Sequence, residues 1–276
     1  MVTHRAAVLG SPIGHSLSPV LHTAAYRALG LDDWEYTAVE VAAGGLGDHV
    51  ARLDPSWRGL SLTMPLKEIA FDIVADVSAV ARSSGVINTL LRRGDEWVGD
   101  NTDVAGMVRS LRDATSALAG LGRFDAVVIV GSGATARSAV CAVAEVGARH
   151  VDFMVRGEPR VRTLQQAQQS GMSVGRLGLG AWPEHVDLVV STVPGVAWVD
   201  VASTLPHGDG VVLDVVYADG ASLLASAARE RGYAVVPGTD MLLHQAVEQV
   251  RLMTGRTPPI EAMRTALTDA LALRHP

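Results

Sequence analysis

A single cysteine in 276 residues, Cys141, leaves no partner for an internal disulfide, and its apolar helical surroundings lead us to expect a buried, inert thiol. Long hydrophobic runs are missing as well. No segment approaches the roughly 20 apolar residues of a membrane-spanning helix, and the stretch from Met1 to Gly10 lacks the extended apolar region of a secretory signal. A cytoplasmic protein in a reducing compartment is the expectation. Positive charge is not in excess: 23 Lys and Arg against 29 Asp and Glu give a formal charge of −6. A nucleic-acid-coating role is thereby disfavoured, and any cationic site has to be local. Repeats and low-complexity tracts are also absent. With 48% hydrophobic and 19% charged residues the chain reads as globular rather than disordered, and its length suits two domains better than one.

What is present is an alternation of short apolar runs with longer helical patterns, the signature of an α/β protein. Ala6 to Leu9 reads as a strand, Pro19 to Leu29 as a helix, Glu35 to Val41 as extended, Leu46 to Leu53 as a helix and Leu60 to Thr63 as a strand. Val86 to Leu91 and Glu96 to Val98 flank an Arg93-Gly94-Asp95 turn and read as a hairpin. An interdomain passage is placed near Thr102 to Gly122. Two helices close the chain, Asp240 to Thr254 and Pro259 to Leu273, separated by Gly255 and Pro258-Pro259. The expected organisation is a substrate domain over residues 1–104, with a mixed, mostly parallel sheet, and a Rossmann-type dinucleotide domain over 105–237. Helices over 238–276 are expected to return to the first domain.

Gly131-Ser132-Gly133-Ala134-Thr135-Ala136 matches G-x-G-x-x-A directly after the strand-like Val127 to Val130 and directly before a helical stretch. Gly131 would permit the tight turn, Gly133 would let backbone amides approach a pyrophosphate, and Ala136 would let helix and strand pack closely. The helix N-terminus would then attract the phosphates. About 20 residues on, where an acidic residue would select NAD, the chain reads Val155-Arg156, with Arg160 following. Arginines there favour the 2′-phosphate of NADP, although Glu158 between them complicates the field.

Polar and ionisable residues concentrate ahead of this fingerprint. In Thr63-Met64-Pro65-Leu66-Lys67, the proline suits a first helical turn, which would put Lys67 at the positive end of a helix dipole. A lysine there needs a reason. Asp103, in Gly99-Asp100-Asn101-Thr102-Asp103, would orient it if the two are close, while Asn101 and Asn88 could supply amide groups to hydroxyls. Each also has a plainer reading: a surface lysine, and a carboxylate that caps a helix. Ser18, before Pro19, looks like an N-cap, yet Ser16 and Ser18 could share one ligand if the chain is extended. Gln245 lies on one helical face with Met241 and Leu242, where a buried amide requires a partner.

Taken together these elements resemble the shikimate dehydrogenase family, and the likeness runs nearly end to end. Gly10 to Pro19 with His22 following, Thr63 to Lys67, Asn88-Thr89, Gly99 to Asp103, Asp214, Tyr217, and Gly238, Met241, Leu242 and Gln245 occur in the family's order. The resemblance implies reversible hydride transfer between NADPH and 3-dehydroshikimate, giving shikimate and NADP, in the chorismate route to aromatic amino acids. It implies Lys67 as general acid and base with Asp103 as its partner. Ser16, Ser18 and Tyr217 would hold the substrate carboxylate, with Thr63, Asn88 and Gln245 on its hydroxyls. Around NADP it places Gly131, Gly133, Ala134, Thr135, Ala136, Arg156, Arg160, Thr192, Gly238 and Met241. No metal, nucleic acid or membrane partner is implied; the protein would act on a small molecule as a monomer or homodimer. The chain departs from the family pattern at Val155 and Gly157 around Arg156, at Val190 to Gly195, and at Asp219 and Ser222. A quinate-accepting or NAD-using paralogue is the alternative within the fold; a dinucleotide sensor without turnover is the alternative outside enzymes.

Overall fold

The computed structural model describes residues 1–117, 124–195, 201–217 and 222–274. The interdomain passage read near Thr102 to Gly122 is helix as far as residue 117; its remainder, like Asp219, falls outside the described residues. The chain divides into two units, Met1–Asp103 with Leu242–Pro276, and Val104–Met241.

The first unit is built on strands β1 (His4–Gly10), β2 (Trp34–Glu40), β3 (Trp57–Leu62), β4 (Asp76–Val77), β5 (Thr89–Arg93) and β6 (Glu96–Asp100), in the order β2-β1-β3-β5-β6-β4. Strand β1 pairs in parallel with β2 and β3, while β5 runs antiparallel to both β3 and β6. Helices α1 (Ser18–Ala28), α2 (Leu46–Ala51) and α3 (Ala79–Ser84) interrupt them. One face of the sheet buries Leu9, Leu60, Leu62, Leu90 and Trp97 with Leu46 and Leu66 of the connections. The register decides where chemistry can occur. Leu9 pairs with Leu62, Ser61 with Thr89, and Thr89 with Asp100. The segments after β1, β3 and β6 and the segment before β5 therefore all emerge at one end of the sheet.

Helix α4 (Thr102–Ala117) leads into the second unit, whose strands are β7 (Val127–Val130), β8 (His150–Met154), β9 (Ser173–Leu177), β10 (Leu188–Ser191), β11 (Val211–Asp214) and β12 (Ala234–Pro237). All are parallel and lie in the order β12-β11-β10-β7-β8-β9. Numbered within the unit this is 3-2-1-4-5-6, the doubly wound dinucleotide arrangement. Its short strands are apolar throughout because both faces are covered. Val127 and Ile129 point into one core with Phe153 and Leu213; Val128 and Val130 point into another with Met154 and Val212. Helices α5 (Ala134–Glu145), α6 (Val161–Gln169) and α7 (Leu223–Glu230) connect the strands, and α8 (Gly238–Thr254) and α9 (Ile260–Arg274) end the chain.

Three local expectations are corrected. Pro65 and Lys67 are not in a helical first turn: residues 64–68 form turns, followed by a 3-10 helix at Ile69–Ile73. The Lys67 carbonyl accepts the Ile87 N–H at 2.9 Å, so a tertiary bond takes the place of an intrahelical one. Ser18 is not the N-cap of α1; Leu17 is, and Leu17 is in the αR region, so Ser16 to Ser18 is not extended. Cys141 is half-buried rather than sealed, and its sulfur receives the Gln166 amide at 3.0 Å.

Candidate functional site

At the end of the first sheet, Gly10 closes β1 and Thr63 directly follows the parallel strand β3, and both chains continue as packed loops. Thr63 N–H donates to Leu9 O and Ser11 N–H to Met64 O, at 2.9 and 3.0 Å. A Cβ on Gly10 would collide with the Thr63 methyl, so glycine lets the loop carrying Ser16 close on the loop carrying Lys67. The Ser16 hydroxyl accepts the Ser18 N–H at 3.3 Å. Thus the two serines are gathered at the start of α1 by a local turn.

Lys67 Nζ donates to Asp103 Oδ2 at 2.6 Å. The lysine side chain is 14% exposed and the aspartate 5%, so the pair is largely withdrawn from water while the ammonium remains reachable. The other carboxylate oxygen, Oδ1, accepts from Asn88 Nδ2 at 2.7 Å. The cap of α4 falls instead to Asn101, whose Oδ1 accepts the Asp103 N–H at 3.0 Å and whose amide donates to Ser84 at 2.8 Å. Asp103 is left to the ion pair and Asn101 to the fold. Gln245 is buried on α8 and donates to the Leu242 carbonyl at 2.8 Å. Thr63 is half-buried; Tyr217, also half-buried, belongs to the second unit.

Several hydrogen-bonding neighbours were given no role by the sequence, although Thr89, Thr102 and His22 fall within its quoted motifs. Gln249, Thr89, Thr102, Ser61, Tyr36 and His22 are all buried in a connected set of hydrogen bonds that reaches Asp103 through Asn88. Spacing offered one signal: Gln249 stands one helical turn after Gln245. His22 is stacked on Tyr36, ring centroids 3.8 Å apart. Burial lowers its pKa from 6.5 to about 3, against the opposing hydrogen bond to Gln249. The folded value lies below the unfolded one, so the unfolded chain takes up the extra proton. The resulting stability is complete above pH 6.5 and is lost progressively toward pH 3. Stability is expected to fall by about 1.4 kcal/mol per pH unit from this source. Urea midpoints between pH 7 and 4 should drop less steeply for His22→Phe; an equal slope would remove His22 from the account.

In the second unit, Gly131 follows β7 with φ +104°, and an added Cβ would stand 2.5 Å from Thr192 Oγ1. Thr192 follows β10, and β7 and β10 are the strands between which the winding reverses. This is where open α/β sheets bind ligands. Gly133 is the N-cap of α5, and a Cβ there would meet nothing within 4 Å, which leaves space against the Ala134 and Thr135 amides. Ala136 is fully buried, as close packing of α5 requires. Gly238 begins α8 pressed on the Asp214 and Val215 carbonyls, and Met241 joins the core. Asp214 itself is buried, which raises its pKa, against lowering by Ser222, the Val216 N–H and Ser191. Arg156 is exposed two residues beyond β8, and Arg160 is the N-cap of α6. Glu158, the acidic residue between them, is paired with Arg176. The donor set fits a dinucleotide carrying an extra phosphate.

The two glycines predict opposite outcomes. Gly131→Ala is expected to cost about 1–3 kcal/mol of stability, because φ is wrong and the space is taken. Gly133→Ala should unfold like the parent yet bind dinucleotide more weakly, since its methyl would occupy the space beside the helix N-terminus. Urea titration and cofactor-fluorescence titration check both, and unimpaired binding by Gly133→Ala would refute the assignment.

Comparison with known proteins gives the family. Residues 8–90 match the Shikimate dehydrogenase substrate binding domain, and residues 238–268 match the Shikimate 5'-dehydrogenase C-terminal domain. The chain is 33% identical over 281 residues to Shikimate dehydrogenase (NADP(+)) of Methanothermobacter thermautotrophicus, covering 98% of this chain and 97% of that protein. This chain belongs to the shikimate dehydrogenase family. Among solved shikimate dehydrogenases, that of Mycobacterium tuberculosis superposes with a TM-score of 0.87 at 36% identity, covering 96% of this chain and 99% of that one. The Thermus thermophilus enzyme, solved with NADP(H) and shikimate, gives 0.83 at 28% identity, covering 97% and 99%. The two-unit α/β architecture with a doubly wound second sheet is thus the shikimate dehydrogenase fold.

Proposed function

We propose that this chain catalyses the NADPH-dependent, reversible reduction of 3-dehydroshikimate to shikimate, with Lys67 and Asp103 as its acid–base pair, in the chorismate route. One observation carries the mechanistic part: a largely buried Lys–Asp pair, 2.6 Å apart, at the end of a sheet where Ser16, Ser18, Thr63 and Asn88 also emerge. When bound, NADPH supplies the hydride. As the carbonyl carbon accepts it, charge builds on the carbonyl oxygen, and the Lys67 ammonium delivers a proton there. In the oxidation direction neutral Lys67 removes the hydroxyl proton. Asp103 does not exchange a proton in this scheme: it holds the ammonium in position and accepts a substrate hydroxyl. The Ser16 and Ser18 hydroxyls, at the positive end of α1, suit the substrate carboxylate. Gly131, Gly133 and the amides of Ala134 and Thr135 would hold the pyrophosphate, with Arg156 and Arg160 on the 2′-phosphate.

The direct test follows reduced-nicotinamide absorbance with shikimate or quinate, each with NADP or NAD. Rapid reduction with shikimate and NADP alone is expected. Preference for quinate or NAD would move the chain to a paralogous activity, and tight dinucleotide binding without turnover would make it a sensor.

A further inference from the structure

We propose that Thr89 and Gln249 are positioning residues: they form a one-way hydrogen-bond relay that fixes the Asn88 amide and, through it, the Asp103 carboxylate. This rests on the reading of Lys67 and Asp103 as the acid–base pair. The direction of every bond follows from which atoms can only donate or only accept. Asp103 Oδ1 accepts from Asn88 Nδ2 at 2.7 Å, while Asn88 Oδ1 accepts the Thr102 N–H and the Thr89 hydroxyl, both at 2.8 Å. Rotating that amide by half a turn would set its carbonyl oxygen against the carboxylate and its NH2 against a backbone N–H. Asn88 therefore has one acceptable orientation, and in its 2.8 Å bond with Thr89 the hydroxyl is the donor.

A hydroxyl has a single proton, so something has to keep that proton from turning elsewhere. Gln249 does so by donating from Nε2 into Thr89 Oγ1 at 3.0 Å. The Gln249 amide is itself fixed: Nε2 faces the Asn88 backbone carbonyl at 3.4 Å, and Oε1 accepts from Ser61 at 2.8 Å and from His22 Nε2 at 3.3 Å. With its one proton committed to Gln249, Ser61 accepts from Tyr36 at 2.6 Å. The relay thus runs from Tyr36 through Ser61, Gln249, Thr89 and Asn88 to Asp103, all of them buried. Aligned bonds of this kind polarise one another, and in a buried setting a missing member leaves others unsatisfied. Asp103 is held at both oxygens, by Lys67 on one side and by the end of the relay on the other. Loss of the relay leaves Asn88 held by Thr102 alone, which loosens its grip on the carboxylate and, through it, on the ammonium.

The test compares Thr89→Val, which removes the hydroxyl at nearly constant shape, with Thr89→Ser, which keeps it. Gln249→Met and Lys67→Ala complete the set, and kcat and KM are measured for shikimate and for NADP. Thr89→Val and Gln249→Met are expected to lower kcat on the order of tenfold, with KM for NADP unchanged, and Thr89→Ser to restore turnover. A fold-stabilising role alone would lower the melting temperature without that split or that rescue. Full turnover by Thr89→Val while Lys67→Ala is inactive would overturn the relay, as would failure of serine to rescue. Full turnover by Lys67→Ala would instead overturn the acid–base reading, and the relay with it. Should the valine and methionine variants not fold, NMR of the unaltered protein decides: the Asn88 side-chain NH2 protons are expected to exchange slowly with solvent, and exchange as fast as from an exposed amide would refute the proposal.

Discussion

Lys67→Ala is expected to lower kcat by about 10²–10⁴-fold, the usual contribution of a positioned acid–base group, with a much smaller change in KM for shikimate. The expectation follows from the geometry of the pair. A lysine ammonium 2.6 Å from a carboxylate is oriented, and 14% exposure of its side chain leaves it reachable by a ligand. Its removal subtracts a proton donor that matters only as charge builds on the substrate oxygen, so the loss falls on turnover. The same change leaves Asp103 buried with its hydrogen bond to Asn88 but without its counter-charge, a situation that destabilises proteins by about 3–5 kcal/mol. Thermal unfolding should therefore accompany the kinetics. A folded Lys67→Ala protein with near-normal kcat would end the assignment; an unfolded one calls for Lys67→Met, judged against Asp103→Asn alone and in combination, so that the orphaned charge is removed and the cost of altering Asp103 is measured separately.

Arg156→Ala is expected to raise KM for NADP by about 10–100-fold while leaving NAD almost unaffected. A charge-assisted hydrogen bond contributes about 1.5–3 kcal/mol, and NAD lacks the phosphate that would receive it. Two features of the structure favour Arg156 as the carrier. It stands exposed just beyond β8, at the position from which the ribose is read in this fold. The acidic residue that clouded the sequence reading, Glu158, is taken up by Arg176. With Val155 and Gly157 as its neighbours, Arg156 lacks polar side chains on either side, so Arg160 is the one further cation proposed for the same phosphate. Because the site is exposed, the NADP preference should weaken as salt is added. An unchanged ratio of KM for NADP to KM for NAD in the variant would dismiss Arg156 from cofactor recognition.

Much of the fold was legible because its signals are local. Val127 to Val130 is apolar at every position, as a strand covered on both faces must be, and the glycine pattern that follows is dictated by a turn with positive φ at Gly131. The hairpin was legible from Gly94, although its first strand begins at Thr89 rather than Val86. Asn88, just ahead of it, still bonds its backbone to Leu62 and Asp100 on the flanking strands, which fixes the base from which its side chain reaches Asp103. The helix read at Pro65 was not there, since proline spacing cannot report that Ile87 would claim the Lys67 carbonyl. Ser18 was read as a cap for similar reasons, whereas the observed turn places Leu17 at that position and leaves Ser16 to bind the Ser18 amide.

By itself the sequence determined the α/β class, the dinucleotide fingerprint and the residue types available for chemistry, because periodicity and glycine placement answer to short-range sterics and burial. Only the tertiary structure decided who meets whom. Lys67 and Asp103 are 36 residues apart, Asn88 and Asp103 are 15 apart, and Gln249 reaches Thr89 across 160. Those meetings depend on the register of β3, β5 and β6 and on the path of the C-terminal helices. No local pattern encodes a hydrogen bond whose two ends are brought together by strand pairing.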